Sequence, residues 1–356
     1  MTEKPRLSAV CNCCTDFQAS PVSRRAFLSG GAALAAFGGM SNAGAQAPNP
    51  RRIDVHHHLS SPGFVKEISA RKTGQKPLED WTPARSIEEM DKSGVATAIT
   101  SISEPSVYFG DNTAAQALAR ECNEYGAKLK GEFRGRFGNF AILPMPDVEG
   151  SLREIDYALG TLKAEGICMM TSYQNKYLGD PAFAPIMDEL DRRAAVVFIH
   201  PARGDCCRNL VPNVIEPIIE MPEDTARTML SLVFGGAARR CPNINFIFSH
   251  AGGTLPALIH RVEWWASVRK DLADRYPDGV TAEFKKFYYD TAWSAYPSAL
   301  APLKNLVPTT QIVFGTDFPF FSSSATAKGL ADFGFSAADL AAIDRSNVVR
   351  IIPRLA

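Results

Sequence analysis

The side chains with the clearest capacity for chemistry are four of the six histidines and one aspartate. His56 and His58 form a His-x-His at the end of the first apolar run, and His200, His250 and Asp317 each follow a later run. These runs are short and rich in β-branched and aromatic residues, which is typical of buried parallel strands. Imidazole nitrogens and carboxylate oxygens both bind divalent metal ions. The pattern therefore predicts a metal centre where the ends of these strands meet.

The spacing of the first two histidines also indicates how the metal ligands are arranged. Side chains alternate along a strand, so His56 and His58 point the same way and His57 points the other way. Together with His200 and Asp317 they offer three nitrogen ligands, one oxygen ligand and an open position for water or substrate. That set indicates a catalytic rather than a structural metal ion. The residues alone leave open whether His250 is a ligand or a free general acid or base.

Strand-like and helix-like segments alternate along the chain and supply the framework for this site. The strand-like runs cover residues 52–58, 95–102, 137–143, 167–172, 196–200, 244–249, 287–291 and 311–316. The helix-like stretches cover residues 86–93, 113–130, 150–165, 182–194, 225–240, 254–273, 298–306 and 337–350. Eight such alternations predict an α/β fold of the (β/α)8 TIM-barrel type, with a doubly wound open sheet as the alternative. The unpatterned stretches 59–84 and 201–224 follow strands that end in histidine, so we expect loops there to cover the site.

A single metal ion is expected in such a barrel. Binuclear centres in barrels of this kind bridge two ions with a carboxylated lysine or a glutamate at the end of the fourth strand. The fourth strand-like run and its end, residues 166–173, contain neither residue type. The four proposed ligands therefore predict a mononuclear centre.

The first 47 residues predict a twin-arginine export signal rather than part of the fold. Arg24 and Arg25 are followed by a Gly- and Ala-rich stretch and by small residues at 45–47. That stretch is shorter than the roughly 20 apolar residues that span a bilayer. We therefore expect one domain over residues 48–356 and a periplasmic location. Four Lys and Arg residues and two Asp and Glu residues precede residue 48, which leaves a net charge of −2 and no electrostatic argument for nucleic acid or membrane binding.

Several motifs around these residues resemble the amidohydrolase-related decarboxylases. That group includes aminocarboxymuconate semialdehyde decarboxylase, γ-resorcylate decarboxylase and 6-methylsalicylate decarboxylase. The resemblance covers about residues 51–352 and includes the motifs His200-Pro201, His250-Ala251-Gly252-Gly253 and Gly315-Thr316-Asp317-Phe318-Pro319-Phe320. Residues 53–58 and 206–210 are most similar to 6-methylsalicylate decarboxylases. The resemblance implies the amidohydrolase-like form of the barrel.

The resemblance also implies roles for individual residues. It implies one divalent ion, Zn²⁺ or Mn²⁺, bound by His56, His58, His200 and Asp317. It implies that His250 is the catalytic acid or base. Arg261 matches an arginine that in the aminocarboxymuconate enzyme reaches across a homodimer interface to the substrate carboxylate. The alternative for Arg261 is an ordinary exposed arginine on a helix.

The activity implied by the resemblance is non-oxidative decarboxylation of a small ortho-hydroxylated aromatic acid. The metal ion would bind the carboxylate and the ortho hydroxyl, and Asp317 or His250 would donate a proton to the ring carbon. Residues 73–77 lack a second substrate-binding arginine of the aminocarboxymuconate enzyme, which favours a monocarboxylate such as a hydroxybenzoate. Phe318 is expected to contact the aromatic ring, and the other aromatic candidates near strand ends are Phe320, Phe321 and Trp293.

Two other functions would use the same side chains. Metal-bound hydroxide, with His250 as the base, would hydrolyse a lactone or an amide. A barrel that retained the ligands without activity would be a binding protein. Metal analysis of the purified protein and a substrate panel with detection of carbon dioxide separate these alternatives.

Overall fold

Eight parallel strands form the centre of the fold in the computed structural model, which describes residues 51–356. Together with two short strands outside this sheet, the ten strands of these residues in chain order are β1 (Arg52–His58), β2 (Val95–Ser101), β3 (Phe137–Ile142), β4 (Gly166–Met170), β5 (Ser172–Tyr173), β6 (Lys176–Tyr177), β7 (Val196–His200), β8 (Asn245–Phe248), β9 (Tyr288–Asp290) and β10 (Ile312–Val313). Strands β5 and β6 form a separate antiparallel hairpin, and the other eight lie in chain order. The predicted export signal, residues 1–47, lies outside the described residues.

The sheet closes on itself between its first and last strands. The backbone N–H of Val55 donates to the carbonyl oxygen of Phe314 (3.0 Å), and that of His58 donates to the carbonyl oxygen of Phe318 (2.7 Å). Eight parallel strands joined in this way confirm the (β/α)8 barrel and exclude the open doubly wound sheet. The carboxyl ends of all eight strands therefore meet at one face of the barrel.

Helices follow the strands along the chain. They are α1 (Pro62–Ala70), α2 (Lys76–Glu79), α3 (Pro83–Ser93), α4 (Asn112–Glu132), α5 (Val148–Ile155), α6 (Ala184–Arg192), α7 (Glu216–Phe234), α8 (Ala237–Arg240), α9 (Leu255–Ser267), α10 (Lys270–Arg275), α11 (Thr281–Phe284), α12 (Pro297–Leu306), α13 (Ser323–Asp332), α14 (Ala337–Ala341) and α15 (Asn347–Ile351). No helix within residues 51–356 combines the length and the apolar character that crossing a membrane requires.

The two stretches that showed no pattern in the sequence contain more helix than predicted. Within residues 59–84 the chain forms α1 and α2, and the Ser61 hydroxyl caps α1 by accepting from the backbone N–H of Phe64 (3.2 Å). Helix α7 begins at Glu216, about nine residues before the predicted start. Pro222 lies inside α7 and gives that segment the composition of a loop. The loop expected over residues 201–224 is therefore confined to residues 201–215.

Aromatic side chains pack on both the inner and the outer sides of the barrel strands. The largest aromatic side chains that are almost fully buried lie on the strands or just beyond them: Phe140, Phe198, Phe246, Phe248, Tyr289 and Phe314. The rings of Phe140 and Phe198 stack with centroids 5.6 Å apart. The ring of Phe198 also lies 4.9 Å from that of His56, so the apolar core reaches the predicted metal ligands directly. Dense packing of this kind holds the strand ends in fixed positions.

Candidate metal centre

Four side chains converge at the carboxyl face of the barrel. His56, His58, His200 and Asp317 each present one possible ligand atom, and these atoms all lie within 4.8 Å of one another. An Asp317 Oδ1 atom lies 2.7 Å from Nε2 of His58 and 3.1 Å from Nε2 of His56. All four residues are buried. The structure thus brings together the four residues that the sequence predicted as ligands.

The four ligands come from the ends of three barrel strands. His56 and His58 share one side of β1, and His200 is the last residue of β7. Asp317 follows β10 in the left-handed backbone region, with φ of 69°, and donates its N–H to the carbonyl oxygen of His56 (2.7 Å). An aspartate tolerates this conformation better than most residues. The backbone bond to β1 fixes the Asp317 carboxylate beside the two histidines.

Hydrogen bonds at Nδ1 orient each of the three imidazole rings. Nδ1 of His56 lies 2.7 Å from Oδ2 of Asp290, and Nδ1 of His58 lies 3.2 Å from the carbonyl oxygen of Ser101. Nδ1 of His200 lies 2.8 Å from the carbonyl oxygen of Pro201. Nε2 is then the nitrogen that remains for a metal ion in each ring, and such bonds are typical of metal-binding histidines. Nε2 of His56 is buried and lies 3.1 Å from Asp317 Oδ1 without a well-directed hydrogen bond to any group of residues 51–356, which is an expected property of a ligand atom.

The charges of the cluster shift the protonation of its members. Burial lowers the pKa of His56, but the carboxylates of Asp290 and Asp317 outweigh it and raise that pKa to about 10. Burial lowers the pKa of His58, and it lowers the pKa of His200 well below its ordinary value. Burial alone would raise the pKa of Asp317, yet the neighbouring imidazoles, His56 first, hold it well below its ordinary value. Asp317 is therefore ionised and His200 neutral at neutral pH, the forms in which each binds a metal.

Asp290 contacts the site directly, although the sequence analysis assigned it no role. Its Oδ2 atom contacts His56, and its Oδ1 atom accepts the backbone N–H of His250 (2.8 Å) and that of Ala292 (3.0 Å). Asp290 is the last residue of β9 and is fully buried. A carboxylate at the end of the seventh barrel strand was the available signal, because catalytic side chains occupy that position in these barrels.

His57 faces away from the ligand cluster, and the ring of Phe318 packs against His57. Nδ1 of His57 is 3.0 Å from Asp54, and Nε2 is 2.8 Å from the hydroxyl of Ser86 on α3. The ring of Phe318 stacks on His57 with centroids 4.8 Å apart. The ring of Phe320 instead lies 5.7 Å from that of His58. The structure therefore does not bring the predicted ring contact, Phe318, to the metal ligands, because the ring packs on the outer side of β1.

His250 lies beside the four ligands without belonging to that group. It occupies a left-handed turn after β8, with φ of 53°, and its Nε2 lies 3.5 Å from Oδ2 of Asp317. That nitrogen is buried and has no hydrogen-bond partner. The His250 side chain is 12 % exposed, whereas that of His56 is completely buried. His250 can thus exchange a proton with Asp317 or with a molecule in the site.

Three more of the predicted residues lie farther out. Trp293 is 46 % exposed, and its ring contacts that of Phe321 with centroids 4.5 Å apart. Both follow strand ends, so they lie on the carboxyl side of the barrel. Arg261 is exposed on α9. Within residues 51–356, Arg261 makes no contact with the four metal ligands.

Comparison with known proteins gives consistent matches over most of the chain. A family model for amidohydrolases matches residues 53–354. The decarboxylase yanB of Aspergillus niger is 38% identical over 325 residues, covering 85% of this chain and 88% of its own. A 6-methylsalicylic acid decarboxylase of Penicillium expansum is 34% identical over 276 residues, covering 75% of this chain and 85% of its own. A solved dihydroxybenzoic acid decarboxylase of Polaromonas sp., with bound manganese and the inhibitor 2-nitroresorcinol, has a TM-score of 0.76 at 22% identity, covering 85% of this chain and 96% of its own.

Proposed function

This chain belongs to the amidohydrolase family, and we propose that it is a metal-dependent carboxy-lyase that removes carbon dioxide from a small ortho-hydroxylated aromatic acid such as 6-methylsalicylate. The observation that carries the proposal is the convergence of three histidines and one aspartate at the carboxyl face of the barrel. Relatives that cover most of the chain are named decarboxylases, which favours this reaction over hydrolysis.

The donor set fits one divalent ion. Three oriented imidazole nitrogens and one ionised carboxylate suit both Zn²⁺ and Mn²⁺. Manganese is bound in the dihydroxybenzoic acid decarboxylase of similar fold, so we favour Mn²⁺ or Zn²⁺ for this chain. Such an ion would supply positive charge beside the carboxylate and the phenolic oxygen of the substrate.

His250 is the proton carrier in this proposal. Asp317 is held in its ionised form by the adjacent imidazoles, so it is a poor acid. Nε2 of His250 forms no hydrogen bond within residues 51–356 and lies 3.5 Å from Oδ2 of Asp317, and the His250 side chain is more exposed than those of the ligands. The proton goes to the ring carbon that bears the carboxylate. The bond to that carboxylate then breaks, its electron pair restores the aromatic ring, and carbon dioxide leaves.

Phe320 replaces Phe318 as the residue proposed to contact the substrate ring. Its ring lies next to His58, on the same side of the barrel rim as the ligands. Aromatic rings pack edge to face or offset at such distances. Trp293 and Phe321 form the next aromatic pair outward, where they would exclude water from the ring.

Activity and metal content test this proposal together. Protein loaded with Mn²⁺ or Zn²⁺ is incubated with 6-methylsalicylate, salicylate and 2,6-dihydroxybenzoate, with a set of lactones in parallel. We expect carbon dioxide from at least one aromatic acid and its loss after chelation. His200→Ala should fold but contain little metal, whereas His260→Gln, which changes the exposed histidine of α9, should retain the metal. Acid released from the lactones, with no carbon dioxide from the aromatic acids, would favour the hydrolase instead.

A homodimer with a shared active site is the second part of the proposal. Arg261 is exposed on α9, and four large apolar side chains of the same segment are exposed around it: Leu258, Trp264, Trp265 and Val268. Exposed apolar groups of this size are typical of protein interfaces, and tryptophan and arginine are enriched in them. A second copy that covered this face would carry Arg261 toward the partner's substrate, where a guanidinium binds a carboxylate with two hydrogen bonds.

Complementation between inactive variants tests the shared site. Arg261→Ala and His250→Ala should each be nearly inactive, and mixed subunits should recover part of the activity because some heterodimers contain one intact site. Trp264→Asp should weaken the dimer in sedimentation experiments. If subunits exchange and no activity returns, Arg261 acts within its own chain or not at all.

A further inference from the structure

A cavity of about 690 Å³ lies at the opposite end of the barrel from the metal ligands. It is formed by the segments that precede β1, β2 and β3 and by the last residues of the chain. Six cationic side chains line it: Arg51, Lys130, Arg134, Arg136, Arg345 and Arg354. The anionic groups of its lining are the side chains of Asp91 and Glu165 and the terminal carboxyl group of Ala356. The whole chain has no net charge, so this excess of positive charge is a local feature.

Two of these anionic groups already have cationic partners. Glu165 pairs with Lys130 (2.6 Å) and with Arg354 (3.2 Å), so one carboxylate is shared between two cations. Asp91 pairs with Arg136 (2.7 Å). Each of these carboxylates is therefore balanced by at least one cation. Together the two carboxylates and their partners add no net negative charge to the cavity.

Arg345 and Arg134 keep their charge. Arg345 donates to the carbonyl oxygen of Leu355 (2.7 Å), and a carbonyl satisfies the donor without neutralising it. Arg134 is exposed and forms no ion pair within residues 51–356. A concave surface with a cationic excess concentrates anions, and guanidinium groups match the geometry of oxyanions.

From this arrangement we infer that the cavity is a binding site for a small multiply charged oxyanion of the phosphate class. Arg134 from the segment before β3 and Arg345 from the C-terminal region would hold it from two sides. Such a ligand would connect the C-terminal segment to the loops between the helices and strands of the barrel base. Because it binds the folded chain alone, it would stabilise the fold by an amount that rises with the logarithm of its concentration once that concentration exceeds the Kd.

Thermal unfolding of the metal-loaded protein tests this inference. Inorganic phosphate, pyrophosphate and a nucleoside monophosphate are compared with sodium chloride at equal ionic strength. We expect at least one of the phosphates to raise the Tm by roughly 3–6 °C at about a hundred times its Kd. Equal Tm values in phosphate and in chloride would overturn the inference, since screening alone would then account for any effect.

Variants separate this cavity from the metal centre, which could also bind phosphate. Arg134→Gln should weaken binding at least fivefold and Arg134→Glu should abolish it, as measured by titration calorimetry. Arg134 forms no hydrogen bond or ion pair with the described residues, so these substitutions should leave the fold intact. Arg269→Gln, which changes an exposed arginine paired with Asp271, is the matched control and should bind normally. His200→Ala should also retain binding. Unchanged affinity in Arg134→Glu, or its loss in His200→Ala, would overturn the assignment to this cavity.

Discussion

Oδ2 of Asp290 lies 2.7 Å from Nδ1 of His56, while Oδ1 of the same carboxylate accepts the backbone N–H of His250. One fully buried side chain therefore orients a metal ligand and also fixes the turn that carries the proposed proton carrier. Carboxylates that orient metal-binding histidines also raise the basicity of the ring. This link explains why an aspartate belongs at the end of β9.

Replacing Asp290 with asparagine should weaken metal binding by about 10- to 100-fold, because the amide is neutral and orients His56 less well. Competition with a chromophoric chelator measures the affinity. Asp271→Asn, which changes an exposed aspartate, is the control and should leave the affinity unchanged. An Asp290→Asn protein that binds metal as tightly as the parent would show that His56 needs no such partner.

The metal ligands could be predicted from the sequence for a physical reason. Alternation along β1 dictates that His56 and His58 share a side, and the carboxyl ends of parallel strands must meet in a barrel. Asp290 was harder to identify, because its strand has only three residues. So short a strand shows no alternation that would distinguish a buried carboxylate from one exposed to solvent. Phe318, predicted to contact the substrate ring, follows the turn after β10 and stacks on His57. The direction of that turn depends on backbone bonds to β1, which no local pattern reveals.

Asp224 on α7 should position the segment that follows His200. It is fully buried and accepts hydrogen bonds from the hydroxyl groups of Thr171, Ser172 (3.1 Å) and Tyr177 (2.7 Å). Thr171 in turn accepts the backbone N–H of Ala202 (2.8 Å) and donates its own N–H to the carbonyl oxygen of His200 (2.9 Å).

Asp224→Asn places an amide donor against hydroxyl donors, so the free energy of unfolding should fall by about 1–3 kcal/mol. Metal affinity should fall as well, because the end of β7 loses a fixed position. Tyr177→Phe removes only one of the bonds and should cost about 1 kcal/mol with little change in metal affinity. Urea unfolding and chelator competition measure the two effects. A loss of stability without any loss of metal affinity would restrict Asp224 to a structural role.

Glu189 on α6 should make stability depend on pH in acid. Hydrogen bonds from Arg192, and then from Arg193, lower the pKa of Glu189 from 4.5 to about 2. A carboxylate with a depressed pKa stabilises the folded state above its unfolded pKa, and that contribution is lost as the pH falls toward the folded value. The difference in unfolding free energy between the parent and Glu189→Gln should therefore be constant above about pH 6 and shrink between pH 4.5 and about 2. A difference that stayed constant across this range would show that the pairs with arginine contribute nothing.

Export by the twin-arginine route is the remaining proposal, and it concerns residues outside the described part of the chain. It is motivated by Arg24 and Arg25, the short apolar stretch after them and the small residues at 45–47. Replacing both arginines with lysine should leave the protein in the cytoplasm at full length, because this route reads the arginine pair. The parent should instead be recovered from the periplasm with an N-terminus near residue 48. Fractionation followed by N-terminal sequencing measures both, with Arg51→Lys as a control for the loss of an arginine beyond the signal. Recovery of the parent only as a full-length cytoplasmic protein would show that these residues are not an export signal.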